Sequence, residues 1–585
     1  MSDSDTDPAV LIIGCGPAGL INARTLLQDG FKVTIVAKEE DVGGCWRNTY
    51  PDLTTNSPWG AFTFSGLDMA KPSNHKGDVV PARTYRRYLE DFYHHFVKDE
   101  AEVLFNTEIV SLLPQEENQR GWVAQLKAKE GREEGRSFDK VVLATGLSCK
   151  PFIPDIFKDS PIPTYHTSSL GFSDQLNNLI NTVTSSTDKP TVEGDADTIL
   201  VVGGGKSVMD TAALLANRGK KVIWTFRGPL KWFAPTVPPG MMGAKWVILT
   251  SLLLPYLGAL IIDSWTMWFY HCTFIGAKRV RAFWKMMRSG WTHTYVEHGL
   301  PPPETDPYLS LAHFAGGIPS SPTDFLPLLK EGKTAMIQNV TPTSLDSEKY
   351  SVEFTNSDGQ VKIVRCGAIV AATGYRGGTY DFMESRLRKQ LGLVRCLSNS
   401  DIEINKTKEE VLDMRKRWKS IDAENYKNIR LPLVFRGILP YGRFEQRDLG
   451  ITGATRPFYV PAITYEVESH WISSLFKDDP FFNLPKSKKE CLEEIKADNN
   501  FTRARYPGID PYECIPSGTY FSGFNDLSYT RVLLRDMSLD PWRQKSNARW
   551  WKFWGNEKGW LDVRVNPEQY ATLGEERRML REKIQ

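Results

Sequence analysis

The hydrophobic pattern of this chain is one of short apolar runs that stop at glycines. Val10-Leu11-Ile12-Ile13 is the first. An uninterrupted apolar run of that length, bounded by glycine, predicts a strand buried on both faces. Gly14, Gly16 and Gly19 follow with the spacing G-x-G-x-x-G. Leu20–Asp29 then carries helical periodicity up to Gly30, and Lys32–Val36 is the next apolar run. Strand, glycine loop, helix and strand in that order predict a βαβ unit. The pattern returns at Thr198–Val202. Gly203-Gly204-Gly205-Lys206-Ser207 is its loop, Val208–Asn217 its helix and Lys221–Phe226 its second strand, and Ser207–Val208 depart from the third glycine.

The segments between and after these units predict further α/β structure. Arg83–Val97 places Tyr85, Tyr88, Leu89, Phe92 and Phe96 near one face, as an amphipathic helix does. Val103–Leu112, Trp122–Lys127 and Val141–Ala144 read as strands, the last running into Ala144-Thr145-Gly146. Asn177–Asp197 is polar and reads as an exposed loop. Phe325–Leu329 and Lys333–Val340 resume the punctuation. Tyr350–Thr355 and Gln360–Arg365 predict a hairpin, and Ala368–Ala372 ends in Thr373-Gly374, repeating the earlier Ala-Thr-Gly. Leu431–Leu439, Gly450–Thr452 and a helix over Ile463–Phe476 close this part of the chain.

The glycine spacing has a chemical meaning. Gly14 makes the tight turn, Gly16 lets the backbone approach a pyrophosphate, and Gly19 lets helix and strand pack closely. The helix N-terminus favours the phosphate charge. Gly203 and Gly205 hold the first two positions of the second fingerprint, with Lys206 and Ser207 beside them. Arg227 follows the second strand of that unit, where a ribose hydroxyl or its phosphate lies. A planar guanidinium suits phosphate and points to NADP; the plainer reading is a solvated surface arginine. Strands ending in small residues let Thr145, Thr373 and Gly374 pass beside a bound dinucleotide. Two dinucleotide sites in one chain predict FAD in the first and NADPH in the second, and hence a flavin-dependent oxidoreductase.

The predicted fold class is α/β, with two Rossmann-like dinucleotide-binding domains. The return of first-domain character after the second unit places the NADPH domain as an insertion in the FAD domain. The expected divisions are 1–165 and 331–476 for FAD, 166–330 for NADPH, and 477–585 as a C-terminal cap. An apolar insert at 246–277 lies within the NADPH part. Trp246–Ile262 is uncharged, Asp263 interrupts, and Ser264–Ala277 is again apolar, ahead of Lys278, Arg279, Arg281 and Lys285. A spanning helix needs about 20 apolar residues. Pro255, Gly258 and Asp263 weaken a straight span, so a buried helical pair, an interfacial hairpin and a membrane helix all stay open. The tail carries Trp542, Trp550, Trp551, Trp554 and Trp560 among basic residues, as a packed cap or an aromatic belt.

Composition narrows the partners. With 72 basic and 70 acidic residues the formal net charge is +2, and there is no basic block, so no nucleic-acid partner is expected. The 8 cysteines are scattered without a C-x-x-C pair or metal-ligand spacing, so no metal is expected. The polar start Met1–Pro8 carries no signal peptide, which predicts a reducing, cytoplasmic setting rather than secretion, with membrane association through 246–277 open.

Taken together the motifs resemble the flavin-containing monooxygenases. The resemblance rests on Gly14/Gly16/Gly19, Gly43-Gly44-Cys45-Trp46, Leu53-Thr54-Thr55-Asn56-Ser57-Pro58, Gly203–Ser207, Ala372-Thr373-Gly374-Tyr375 and Pro461…Glu466…Trp471. They span about residues 8–476 in the family's order, and the overall look is closest to fungal members that make secondary metabolites. The resemblance implies that NADPH reduces FAD, that O2 adds to the reduced flavin, and that the resulting flavin hydroperoxide transfers one oxygen atom to a lipophilic small molecule. It implies Gly44 and Trp46 as flavin-site residues and Asn56 as the active-site asparagine, whose amide donates and accepts without titrating.

Three positions depart from the family. Ala37 stands where a ribose-binding glutamate is usual, with Glu39 and Glu40 as substitutes. Ser160 and Ile162 replace the Phe and Gly of F-x-G-x-x-x-H, although His166 is present. Ser168-Ser169-Leu170-Gly171 lacks the aromatic signature of Baeyer–Villiger members, which lowers ester-forming insertion. A flavin-dependent quinone-type reductase is the alternative enzyme. A non-catalytic flavin-binding membrane protein is the alternative outside enzymes.

Overall fold

A computed structural model describes residues 7–71, 79–116, 119–148, 150–185, 188–228, 265–300, 324–346, 348–375, 380–393, 409–410, 413, 416–419, 431–455, 457, 460–505, 526–541, 543 and 567–584. Its frame is two five-stranded sheets. The first runs Leu449–Ile451, Lys140–Leu143, Ala9–Ile13, Lys32–Val36, Glu102–Leu104, with every neighbour parallel. The second runs Thr164–His166, Ala368–Ala371, Thr198–Val202, Lys221–Phe226, Thr334–Gln338, again parallel throughout. In both, the fingerprint strand is the middle one, which accounts for its unbroken burial: Val10, Leu11 and Ile12 in the first and Ile199, Leu200 and Val201 in the second have no exposed surface. Each sheet carries a three-stranded antiparallel companion, formed by 107–138 in the first domain and 340–365 in the second.

The sheet order corrects one expected boundary. Residues 334–371 were assigned to the second part of the FAD domain, yet Thr334–Gln338 pairs with Lys221–Phe226, and Ala368–Ala371 pairs with Thr198–Val202. Among the described residues after 371, the chain rejoins the first sheet at Leu449–Ile451, beside Lys140–Leu143. The repeated Ala-Thr-Gly signals an equivalent place in a second copy of the architecture rather than a return to the first. Other elements shift locally. The run 103–112 breaks into Glu102–Leu104 and Thr107–Pro114, because Asn106 takes φ 50° between them. The polar stretch read as a loop is entered by the helix Ser173–Thr182.

Of the apolar insert, 246–264 lies outside the described residues. From 265 onward it forms the helices Trp265–Cys272 and Phe274–Glu297. One side of this pair is buried at Met267, His271, Ala277 and Val280, with Tyr270 and Phe283 against the first domain's core. Trp265, Trp268, Phe274 and Ile275 are exposed. Among the described residues no helix is long and apolar enough to cross a membrane. The tryptophans expected to cap or belt the tail, 542, 550, 551, 554 and 560, lie outside the described residues.

The helix Pro461–Phe476 is buried along nearly its whole length and carries its polar groups inward, each with a partner. Arg24 Nη2 lies 2.6 Å from Glu466 Oε1, Ser469 shares a hydrogen bond with Thr25, and Glu468 accepts from Thr452 and Thr455. The C-terminal helix Leu573–Ile584 is clamped to the same region. Arg577, fully buried, donates to Asp29 Oδ2 at 2.7 Å, to Ser474 at 2.8 Å and toward His470 Nδ1 at 3.1 Å. Arg581 bonds Asp29 and Asp479. Burial, followed by the charge of Arg577, pushes His470 well below its ordinary value, so it stays neutral and accepts. Burial works against Asp29, but Arg577, Arg581 and Ser473 overcome it and hold that carboxyl below the usual range.

Asp29 caps the helix Pro17–Gln28, whose other end is the fingerprint loop. Asp29→Asn should therefore destabilise the fold at neutral pH by about 3–5 kcal/mol, the cost of orphaning a buried partner. A carboxyl lowered in the folded state stabilises above its unfolded value of about 3.9 and loses that contribution as pH falls toward its folded value. Urea unfolding of parent and variant should show the gap narrowing below about pH 4.

Candidate dinucleotide sites

The two fingerprints are built alike down to single hydrogen bonds. Gly14 N donates to Val36 O and Gly203 N to Thr225 O, each at 2.9 Å. Ala144 N donates to Ile13 O at 3.0 Å and Ala372 N to Val202 O at 2.8 Å. The first glycine of each unit is thereby pressed against the alanine that ends the neighbouring strand. A Cβ on Gly14 would lie 2.5 Å from Ala144 O, and one on Gly203 would lie 2.2 Å from Ala372 O. Both glycines have positive φ, 112° and 152°.

In the first unit the remaining glycines divide their tasks. A Cβ on Gly19 would lie 2.0 Å from Gly14 O, so Gly19 closes helix on strand. A Cβ on Gly16 would meet nothing nearer than Gly44 Cα at 3.7 Å, so the protein itself leaves Gly16 uncrowded. Gly44 (φ 56°) would put a Cβ 3.0 Å from Gly16 Cα, and Gly43 N donates to Cys15 O at 2.9 Å. The Gly43-Gly44 loop thus lies directly over the fingerprint, and Gly14, Gly16, Gly19, Gly44 and Thr145 come together at the carboxyl end of the first sheet. This is where α/β folds bind dinucleotides. The bare helix N-terminus after Gly16 has no side-chain cap, which leaves its N–H groups open to phosphate. Trp46 packs edge-on against Phe62 at 5.6 Å and Tyr85 at 4.9 Å, beside that loop.

Both candidate ribose carboxylates have a basic partner. Glu40 bonds Arg47 at 2.8 Å and is largely exposed. Glu39 lies 3.7 Å from Lys38. Ala37 is buried and fills the usual glutamate position with a methyl group. Asn56 lies in the strand Thr54–Pro58, which pairs with Val79–Pro81. Its side chain is outside what the structure describes.

The residues expected at the second site are Gly203, Gly205, Lys206, Ser207, Arg227, Thr373 and Gly374, and the contact of Gly203 with Ala372 brings the glycine loop beside Thr373-Gly374. Gly205 precedes the helix Lys206–Ala216, whose N-terminus again has no side-chain cap. Arg227 is exposed immediately after the strand Lys221–Phe226. Thr373 donates to Phe152 O, and Gly374 O accepts from His166 Nε2 at 2.9 Å. With Nε2 donating, His166 Nδ1 accepts from Ser168, and burial lowers the ring below its ordinary value, so it is neutral near pH 7. His166 therefore fastens the Ala-Thr-Gly turn despite the degraded motif around it.

Sequence reading missed two residues here. Asp210 is almost fully buried one turn after Lys206, pairs with it, and accepts from Tyr50 Oη at 2.7 Å. A carboxylate on the apolar face of a helix was the available signal.

The arrangement defines a flavoprotein-type chain with two dinucleotide sites. Comparison with known proteins agrees. Residues 8–231 match the pyridine nucleotide-disulphide oxidoreductase family. The chain is 24% identical to the FAD-dependent monooxygenase DEP4 of Fusarium langsethiae, over 98% of this chain and 95% of that protein. It is 30% identical to the flavin-containing monooxygenase FMO GS-OX-like 6 of Arabidopsis thaliana, over 25% of this chain and 36% of the other. A solved structure of OTEMO in complex with FAD and NADP shares the fold with TM-score 0.55 and 16% identity, covering 91% of this chain and 98% of that one. The chain is thus similar along its whole length to a fungal FAD-dependent monooxygenase.

The glycine geometry distinguishes two variants. Gly19→Ala meets backbone and should lower the yield of folded protein. Gly16→Val should fold, with unchanged far-UV circular dichroism, yet purify without flavin, because its side chain occupies the pyrophosphate's place. A yellow Gly16→Val protein would overturn the assignment.

Proposed function

We propose that the protein is an NADPH-consuming, FAD-dependent monooxygenase that transfers one atom of O2 to a lipophilic small molecule, the other leaving as water. The observation that carries this reading is the pair of matched fingerprints, each open at an uncapped helix N-terminus, in a chain whose full-length relatives bear that activity in their names. FAD, when bound, supplies the oxygen chemistry. Gly14, Gly16, Gly19, Gly44, Trp46 and Thr145 hold it, with Glu39 at the adenosine ribose in place of the family's glutamate. Gly203, Gly205, Lys206, Ser207, Thr373 and Gly374 hold NADPH, and Arg227 reads its ribose phosphate. Asn56 offers its amide at the reacting centre.

Asn56→Ala should still bind FAD and consume NADPH, but release hydrogen peroxide in place of oxygenated product. Loss of one preorganised donor costs about a hundred- to a thousandfold in rate. A variant that couples NADPH use to product as well as the parent does would remove Asn56 from the site. Arg227→Ala should weaken NADPH about ten- to a hundredfold, the value of one charge-assisted contact, while leaving NADH unchanged. Equal losses would mean that Arg227 does not read the phosphate.

The insert also supports peripheral attachment to a lipid surface. Trp265, Trp268, Phe274 and Ile275 are exposed beside exposed Lys278, Arg279, Arg281 and Lys285, and Lys278 lies 4.5 Å from the centre of the Phe274 ring. Aromatic residues flanked by cations suit the boundary between head groups and acyl chains. The protein should sediment with anionic vesicles and be released by Phe274→Ser with Trp265→Ser. A parent that stays in the supernatant overturns this part.

A further inference from the structure

The segment that leads from Trp46 to Asn56 belongs by sequence to the first domain but is moored in the second. Arg47 is held on the first side by Glu40, and Ala82 N donates to Leu53 O. Asn48 O sits so close to Gly171 that a Cβ there would lie 2.3 Å from it. Tyr50 is part of the second domain's apolar core, with Leu53 packed against the same cluster. Asp52 lies 3.5 Å from Arg218. At the centre of this mooring, Tyr50 Oη and Lys206 Nζ both donate to one oxygen, Oδ2 of Asp210. Lys206 and Ser207 open the helix that follows the second glycine loop.

We propose that Tyr50 and Asp210 are positioning residues that make the placement of the segment 47–56, and with it Asn56, depend on occupancy of the second dinucleotide site. The inference rests on reading that site as the NADPH site. In the structure, Lys206 and Tyr50 compete for the charge of one carboxylate oxygen. A dinucleotide phosphate arriving at the glycine loop is the stronger anionic partner for Lys206. Once the ammonium turns to it, Asp210 Oδ2 keeps its full charge for the Tyr50 hydroxyl, and that bond strengthens. Tyr50 is buried, so the bond competes with no solvent. The segment before Asn56 is therefore held loosely without the nicotinamide cofactor and firmly with it. That order is useful to an oxygenase, because oxygen transfer is confined to the state in which both dinucleotides are present.

Hydrogen exchange of the FAD-loaded protein with and without NADP+ reads this directly. NADP+ should protect 203–210, and should also slow exchange across 50–55 by about fivefold, as the carboxylate relieved of its ion pair holds the Tyr50 hydroxyl more tightly. Tyr50→Phe should keep the protection at 203–210 and lose it at 50–55. Asp210→Asn supplies a second variant: its amide still accepts from Tyr50 but gains no charge when Lys206 turns away, so the response at 50–55 is again lost. Protection at 203–210 with none at 50–55 in the parent overturns the inference alone, as does a full response in either variant. An absence of NADP+ protection anywhere overturns the reading of the second site, and the inference with it.

Discussion

The structure depends on two places where backbone touches backbone. At Gly14 and Gly203 a fingerprint strand ends against the carbonyl of an alanine from the neighbouring strand, with no room for a side chain. Each contact fixes three things at once: the turn out of the strand, the start of the following helix, and the path of the Ala-Thr-Gly segment beside it. The helix that follows starts without a side-chain cap at the sheet's carboxyl edge, where α/β folds bind their ligands. A methyl group at either glycine would push these elements apart, so sheet order and cofactor geometry follow from the same constraint.

Around the first of these contacts the protein builds a polar interior in which Glu466, Glu468 and His470 are all paired. Helix 461–476 sits in the core although it carries Glu466, Glu468, His470 and several hydroxyls, because each meets a partner from another element. Arg577 and Arg581 bring the C-terminal helix onto Asp29, at the far end of the fingerprint helix. The tail is thereby part of the flavin domain's frame. Buried charges of this kind specify one arrangement, since any other leaves an ion without its partner.

The second domain repeats the frame of the first but faces it through residues that the first domain lends. Tyr50 and Leu53 pack into the second core, and Asp210 receives Tyr50 at the base of the glycine loop. A contact of this sort joins the segment 47–56 to the helix that follows the second glycine loop through one carboxylate oxygen.

Local order along the chain was enough for much of this. Apolar runs ending in glycine marked both fingerprint strands, and the spacing Gly14, Gly16, Gly19 marked the turn, because backbone conformation there is dictated by side-chain size. The Ala-Thr-Gly repeats were visible as well, but only the sheet order shows that they mark equivalent places in two copies of one architecture. The sequence could not say which sheet 334–371 joins, since parallel strands of similar composition are sorted only by the pairing of distant segments. Tyr50 and Asp210 lie 160 positions apart, and their meeting is decided by the packing of two domains. Chemistry carried by neighbours in the chain is written in the sequence; chemistry carried by neighbours in space exists only once the sheets are assembled.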